Sequence, residues 1–310
     1  MALCAALLAS LQGVTLGAVA ERAAARTAGI ESRSPLRLTD DTGAIVTLAH
    51  TPARIVSLAP GATEMLFAAG AGAKVVATVQ YADAPPAAQR VPRIGDYQTI
   101  DLERLVRTRP DVVVVWPAGN NPAQLARIAS LHLPIYRQQV RTLADLAPSL
   151  RRLGALAGTG AVAQQAASAI DQQLAALQRR FAHAAPISVL LQVWSHPLYT
   201  VGGGQLLTDV LRVCGAHNVF AELHDAAPAV TVEAVIARDP QVIVAAAPAA
   251  PAAAWLEEWR RFPRMAAVRD GQLLVFSDLR LTRLGPSVLP ATSDLCALLE
   301  RARAALRSRP

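Results

Sequence analysis

Residues 160–183 read GAVAQQAASAIDQQLAALQRRFAH, a run with no proline and no internal glycine, rich in Ala, Gln, Leu and Arg. These are among the strongest helix formers. Ala163, Ala166, Ala167, Ile170, Leu174 and Leu177 recur three and four apart, so one face is apolar and the remainder carries Gln and Arg. At about 1.5 Å per residue the helix spans roughly 36 Å, more than the diameter of a small domain. On both sides of it, short β-branched runs alternate with amphipathic stretches. The spacing therefore predicts one backbone helix within 159–184, joining two similar α/β lobes at 35–158 and 185–310. An ordinary helix inside one large domain is the alternative.

Upstream, LRLT and IVTL flank Asp40-Asp41-Thr42-Gly43 and read as a β-hairpin. Strands follow at 54–58, 75–79, 112–115 and 134–136, with helices at 62–70, 101–106, 122–131 and 142–156 between and after them. Val112–Val115 is a continuous apolar run, as expected of a strand buried on both faces. The βαβα alternation implies a parallel sheet. Downstream the pattern restarts, with strands at 188–193, 242–245 and 273–276 and helices at 205–213, 231–238, 253–261 and 287–307.

The 310 residues give ample chain for two lobes. The net charge of +7 raises nucleic acid as a partner, but the arginines are scattered and aromatic residues make up only 4%, too few to stack bases. No nucleic-acid partner is expected. Residues 1–20 carry no charge and end in Ala18-Val19-Ala20, the small-x-small pattern of a cleaved leader, and 21–34 read as a flexible tether. Cys4 has no leucine three residues before it, so a lipoprotein anchor is not expected. Export leaves Cys214 and Cys296, which allow one disulfide or two buried thiols.

Few motifs announce chemistry. Gly202–Gly204 lies between a strand and a helix but lacks the spacing of a nucleotide loop, and reads as a turn. The histidines are His50, His132, His183, His196, His217 and His224, none in a metal-ligand spacing. His196, beside Trp194 and Tyr199 at a lobe edge, is the one considered as an axial ligand to a bound metal. No GxSxG or comparable nucleophile motif is present. The aromatics fall largely where strands end: Tyr81, Tyr97, Trp116, Trp194 and Tyr199. Open α/β sheets bind ligands at the carboxyl ends of their strands, and two facing rims of Tyr and Trp would clamp a large planar ligand.

RIVSLAPGATEMLFAAG (54–70) and DLERLVRTRPDVVVVW (101–116) resemble the substrate-binding proteins of bacterial ABC importers that have a rigid helical backbone. The initial hairpin and LLTDVLRVCGAHNVF (206–220) extend that resemblance over nearly all of 36–308. It implies two Rossmann-like lobes with parallel sheets joined by one long helix. It also implies a periplasmic, monomeric receptor without catalysis or resident cofactor, which hands an iron siderophore, haem or cobalamin to a membrane permease.

Within the family, YADAPPAAQ (81–89), DYQTIDLERLV (96–106), VVVVWPAGN (112–120), LLQVWSHPLYTVG (190–202) and the cysteine pair are most similar to members that carry cobalamin. That likeness makes Tyr81, Tyr97, Trp116 and Tyr199 pocket aromatics and Asp278 a polar rim group. It matches Arg283 to a rim arginine with the spacing shifted by one, and pairs Cys214 with Cys296. Glu103 and Glu233, one in a short helix of each lobe, match glutamates that dock on permease arginines; acid placement at a helix start is the alternative.

The chain also departs from those members. It has Ala227-Pro228 where a Trp-Pro is expected, Tyr97 where a Trp is expected and Val193 where a Phe is expected. Trp194 offsets part of that loss. Haem, which needs a Tyr or His ligand such as Tyr81, Tyr97 or His196, a cobalamin precursor and a ferric siderophore are the alternatives. An exported enzyme in the same cleft would need a convergent acid–base pair, and none is assembled by the sequence.

Overall fold

The computed structural model describes residues 35–96 and 98–308. The expected leader (1–20) and tether (21–34), and Tyr97, lie outside the described residues.

β1 (Leu36–Thr39) and β2 (Ile45–Leu48) pair antiparallel. Asp40 shapes the turn, its Oδ1 accepting from the backbone N–H of Thr42 at 2.9 Å and Ala44 at 3.0 Å, while Gly43 takes φ +88°, a region that favours glycine. Asp41 pins the hairpin to the first lobe. It accepts from the Tyr136 hydroxyl at 2.9 Å, Arg152 Nε at 2.7 Å and the Gln139 N–H at 3.0 Å. Burial and the adjacent Asp41 carboxylate push the Tyr136 phenol far above its ordinary range, so it stays a donor.

The first sheet holds β3 (Ile55–Ser57), β4 (Val75–Ala77), β5 (Val112–Val115) and β6 (Ile135–Arg137), all parallel, in the order β4-β3-β5-β6. All four β5 residues are buried, which explains the unbroken valine run. Asp111 Oδ2 accepts from the N–H groups of Ala53 and Arg54 at 2.7 and 2.8 Å, setting the start of β3 beside β5. Helices α1 (Pro60–Ala68), α2 (Leu102–Arg107) and α3 (Pro122–Ser130) connect the strands.

α4 (Leu146–Ala157) ends at Gly158, left-handed at φ +70°, and the chain turns into α5 (Gly160–Phe181). The two helices pack so closely that a Cβ on Gly154 would lie 2.2 Å from the Ala163 Cβ. The 22 residues of α5 make a rod of about 33 Å. It buries Ala163, Ala167, Ile170, Leu174, Leu177 and Phe181, the stripe read from the sequence.

The second sheet contains β7 (Ile187–Gln192), β8 (Ala216–Asn218), β9 (Val242–Ala246) and β10 (Leu273–Phe276), again parallel, in the order β10-β9-β7-β8. Its helices are α6 (Leu206–Val213), α7 (Val232–Arg238), α8 (Ala249–Trp259), α9 (Ala266–Arg269) and α10 (Val288–Arg307). β8 has no counterpart in the sequence reading: at three residues, with His and Asn in it, the strand carries no hydrophobic period. α8 begins at Ala249, four residues before its expected start at 253, because Pro251 is tolerated in a first helical turn. The glycine triplet is a tight turn, where a Cβ on Gly203 would sit 1.9 Å from the Ala221 carbonyl oxygen.

Numbered from the first strand of each sheet, both lobes have the order 2-1-3-4. The fold is therefore one α/β unit used twice, with α5 between. A continuous apolar core runs from the hairpin through α1, α4 and α5 to α6 and α10, so the lobes share a packed spine. Cys214 at the end of α6 is disulfide-bonded to Cys296 in α10, S–S 1.98 Å. Beside it, Arg303 is buried and donates to the carbonyls of Ala185 and Cys214, both at 2.6 Å. No helix among the described residues is long and apolar enough to cross a membrane.

Candidate functional site

In a 2-1-3-4 sheet the connections leave in opposite directions from strands 1 and 3. Ligands of open α/β sheets bind outside the carboxyl ends of the strands at that switch point. In the first lobe the point lies where β3 and β5 end, at Ala59 and Trp116; in the second, where β7 and β9 end, at Val193 and Ala247. Both open on the same cleft between the lobes.

The cleft has two chambers. The smaller, about 210 Å³, is enclosed by Ala59, Gly61, Trp116, Gln138 and Val140 of the first lobe and by Thr282, Arg283 and Leu284 of the second. The larger, about 640 Å³, is lined by Val193, Trp194, His196, Pro248, Trp255 and Leu279 of the second lobe. Thr282 borders both chambers, so they lie side by side.

The larger chamber is built around a tryptophan pair. Tyr199 returns the chain beside β7, its carbonyl accepting from Val193 N–H at 2.9 Å and its N–H donating to Trp194 at 3.2 Å. The short loop so closed presents Trp194, which is 55% exposed and stands 5.9 Å from the Trp255 ring at 59°. Tilted rings at this separation attract. With Val193, Pro248, Trp255 and Leu279, Trp194 makes a contiguous apolar wall, the kind of exposed patch that marks a binding surface. His196 closes the same loop: Nδ1 is 2.9 Å from Ser195 Oγ and Nε2 is 3.6 Å from Glu258. No group of three His, Cys, Asp or Glu poised for a metal occurs among the described residues.

The smaller chamber is more polar. Arg283 borders it, and α1 begins at its edge with no side-chain cap. The two lobes approach closely here, since a Cβ on Gly61 would lie 2.2 Å from the Arg283 carbonyl oxygen. One turn later, Glu64 is buried and accepts hydrogen bonds across the seam from Ser287. Gln138 is also buried, and its amide nitrogen has no hydrogen-bond partner among the described residues.

The remaining sequence-predicted residues lie elsewhere. Tyr81 is 70% exposed at φ +66° and borders neither chamber. Asp278 caps the 3-10 turn Leu279–Arg283 and is paired with Arg280, whose guanidinium holds its carboxyl below the usual range. Glu103 and Glu233 are both exposed at the second position of α2 and α7. The Asp101 and Thr231 side chains cap those helices at 3.0 and 3.2 Å, so the two glutamates hold equivalent places in the two lobes. Glu103 pairs with Arg107 at 2.6 Å.

Trp255 and Gln138 were not among the residues singled out from the sequence. Trp255 sits inside a helix rather than at a strand end. Gln138 stands directly after β6, between Arg137 and Gln139, a position at which a strand-end search restricted to aromatics does not look.

A family model described as a periplasmic binding protein matches residues 55–278. A vitamin B12-binding protein of Vibrio cholerae is 34% identical over 250 residues, which cover 81% of this chain and 90% of that protein. The crystal structure of the periplasmic vitamin B12-binding protein of Vibrio cholerae has a TM-score of 0.75 and 34% identity, covering 82% of this chain and 98% of that one. A periplasmic haem-binding protein from Roseiflexus shares the fold, with a TM-score of 0.68 at 23% identity over 80% of this chain and 98% of that one.

Proposed function

The chain belongs to the periplasmic binding protein family, and from that premise we propose that it captures cobalamin or a related corrinoid in the interlobe cleft and delivers it to the permease of an ABC importer. The observation that carries this is the pairing of a wide, tryptophan-walled chamber with a smaller one that Arg283 and Gln138 border, on either side of Thr282. A corrinoid is a broad apolar macrocycle fringed with amides, and it needs flat apolar area on one side and polar groups at its edge. The 34% identity to a vitamin B12-binding protein, over 82% of this chain, supports the same ligand class.

In this proposal Trp116 faces the ligand from the first lobe, and Trp194 and Trp255 face it from the second. Arg283 stands at the polar edge. Glu103 and Glu233 supply one docking charge per lobe, an arrangement that orients association more than it tightens it. The single helical crossing and shared core resist wide hinge motion, so closure on the ligand is small.

Titration of the purified protein with cyanocobalamin, followed by tryptophan fluorescence, tests the proposal. Saturable one-to-one quenching is expected. A parallel titration with hemin checks the second reading, favoured by the His196 imidazole at the larger chamber. A shifted hemin band lost in His196→Ala, without cobalamin quenching, would replace corrinoid by haem.

A further inference from the structure

Residues 101–112 (DLERLVRTRPDV) and 231–242 (TVEAVIARDPQV) align without a gap. Each segment runs through the helix that connects the second strand of its sheet to the third, α2 in the first lobe and α7 in the second. Folding accounts for most of the match. Asp101 and Thr231 cap the two helices. Leu105 and Val235 are fully buried, each in the core of its own lobe. Arg109 and Asp239 take positive φ, +44° and +40°, ahead of buried prolines. Asp111 and Gln241 each accept a backbone N–H at the start of their sheet's first strand, from Arg54 at 2.8 Å and from Ser188 at 3.0 Å.

What folding does not account for is the exposed face. Glu103 and Glu233 are exposed, and so are Val106, at 48%, and Ile236, at 37%. In each lobe the aliphatic residue stands three positions after the glutamate, which places the two side by side on one helix face. Neither Val106 nor Ile236 belongs to an apolar core among the described residues. A lone exposed aliphatic is ordinary on a protein surface. The same kind of side chain beside the same acid in both lobes is not required by the packing of either.

We propose that Val106 and Ile236, each with its glutamate, form two like docking patches, and that the aliphatic pair holds the complex with the permease while the glutamates orient it. The proposal rests on the delivery reading above. The partner that fits presents two like sites, each with a cation beside an apolar recess. Protein interfaces bury an apolar centre within a polar rim. Rim charges act on association rate and salt dependence, whereas most interface contacts act on how slowly the complex parts. Around its patch α2 carries Arg104 and Arg107, where α7 has Ala234 and Ala237. The second-lobe patch is therefore the more apolar, and Ile236 contributes more than Val106.

The test measures association and dissociation rates of the cyanocobalamin-loaded protein on its permease held in lipid nanodiscs, by surface plasmon resonance. Val106→Ser combined with Ile236→Ser is expected to dissociate about tenfold faster. Its association rate, salt dependence, cyanocobalamin affinity and melting temperature are expected to stay close to wild type. Ile236→Ser alone is expected to account for more of the change than Val106→Ser alone. Glu103→Gln combined with Glu233→Gln is expected instead to slow association and to lose most of its salt dependence. Val106→Ile with Ile236→Val, which keeps both aliphatic side chains, is expected to behave as wild type. A double serine variant that dissociates at the wild-type rate would overturn the docking role of the aliphatic pair and leave the delivery reading standing. Wild type that binds cyanocobalamin but not the permease would overturn both. Self-association of the wild type in sedimentation, absent from the double serine variant, would assign the patches to a second copy of this chain and overturn the docking role as well.

Discussion

The carboxylate of Glu64, in the first lobe, accepts hydrogen bonds from the backbone N–H of Ser287 at 2.6 Å and from its hydroxyl at 2.9 Å, in the second lobe. The pair fastens α1 to the start of α10 across the floor of the cleft. Burial raises the Glu64 carboxyl above its ordinary 4.5, although the Ser287 bonds and Arg283 oppose that shift. A carboxyl raised in the folded state binds its proton more tightly folded than unfolded. Stability is therefore highest below the unfolded value and falls as pH rises through the folded one. Glu64→Gln is expected to flatten this slope in melting curves recorded from pH 4 upward. Glu64→Ala, which strands the Ser287 N–H, is expected to destabilise by about 1–3 kcal/mol.

The tryptophan pair separates binding from stability. Trp194 is more than half exposed while Trp255 is 9% exposed, so truncating them has different consequences. Trp194→Ala is expected to leave the melting temperature nearly unchanged and to weaken cobalamin binding about tenfold, as for an aromatic anchor. Trp255→Ala is expected to remove about 3–5 kcal/mol of stability, as for a buried large-to-small change. Calorimetric titration and thermal denaturation of both variants distinguish the two effects.

Much of this fold is legible in the sequence because its elements satisfy local rules. The Val112–Val115 run, the apolar stripe of 160–183 and the restart of βα alternation each follow from burial and periodicity. What was not legible depends on contacts far apart in the chain. Glu64 is buried in α1, and the partner that holds its carboxylate, Ser287, lies 223 positions later. Trp255 lies in an alanine-rich helix, and only the β7–Tyr199 loop brings Trp194 to it. The cysteine pairing was left open by composition and is closed by the packing of α6 on α10.

The Cys214–Cys296 bond spans 82 residues of chain and ties the last helix to the second sheet. Closing a loop of this length restricts the unfolded ensemble strongly. Reduction, or Cys214→Ala with Cys296→Ala, is expected to remove about 2–5 kcal/mol of stability. Melting curves with and without dithiothreitol measure the loss. Ligand affinity of the folded fraction should be unchanged, because neither cysteine borders a chamber.

Glu103 and Glu233 occupy matching first-turn positions, exposed and away from both chambers. If they dock on the permease, Glu103→Lys and Glu233→Lys should leave ligand affinity intact and lower transport in vesicles carrying the permease, with the double variant lowest. Because Glu103 has a local partner in Arg107 at 2.6 Å, Glu233→Lys should have the larger single effect. Equal transport by wild type and the double variant would reduce both residues to helix-start acids.

Gly61 offers a test in which local propensity and tertiary packing predict opposite signs. Judged as a position in α1, Gly61→Ala should stabilise by roughly 0.5–1 kcal/mol, since glycine is a poor helix former. Judged at the interlobe seam, the new Cβ would meet the Arg283 carbonyl oxygen at 2.2 Å and that of Leu284 at 2.7 Å. Both are backbone atoms, so no flexible side chain can move aside. Relief requires α1 and the 283–284 segment to part, which also stretches the Glu64–Ser287 bonds one turn away. The net effect expected is destabilisation of about 1–3 kcal/mol, as for overpacking, with weaker ligand binding from a widened smaller chamber. A rise in melting temperature for Gly61→Ala would mean that the lobes do not approach this closely in solution.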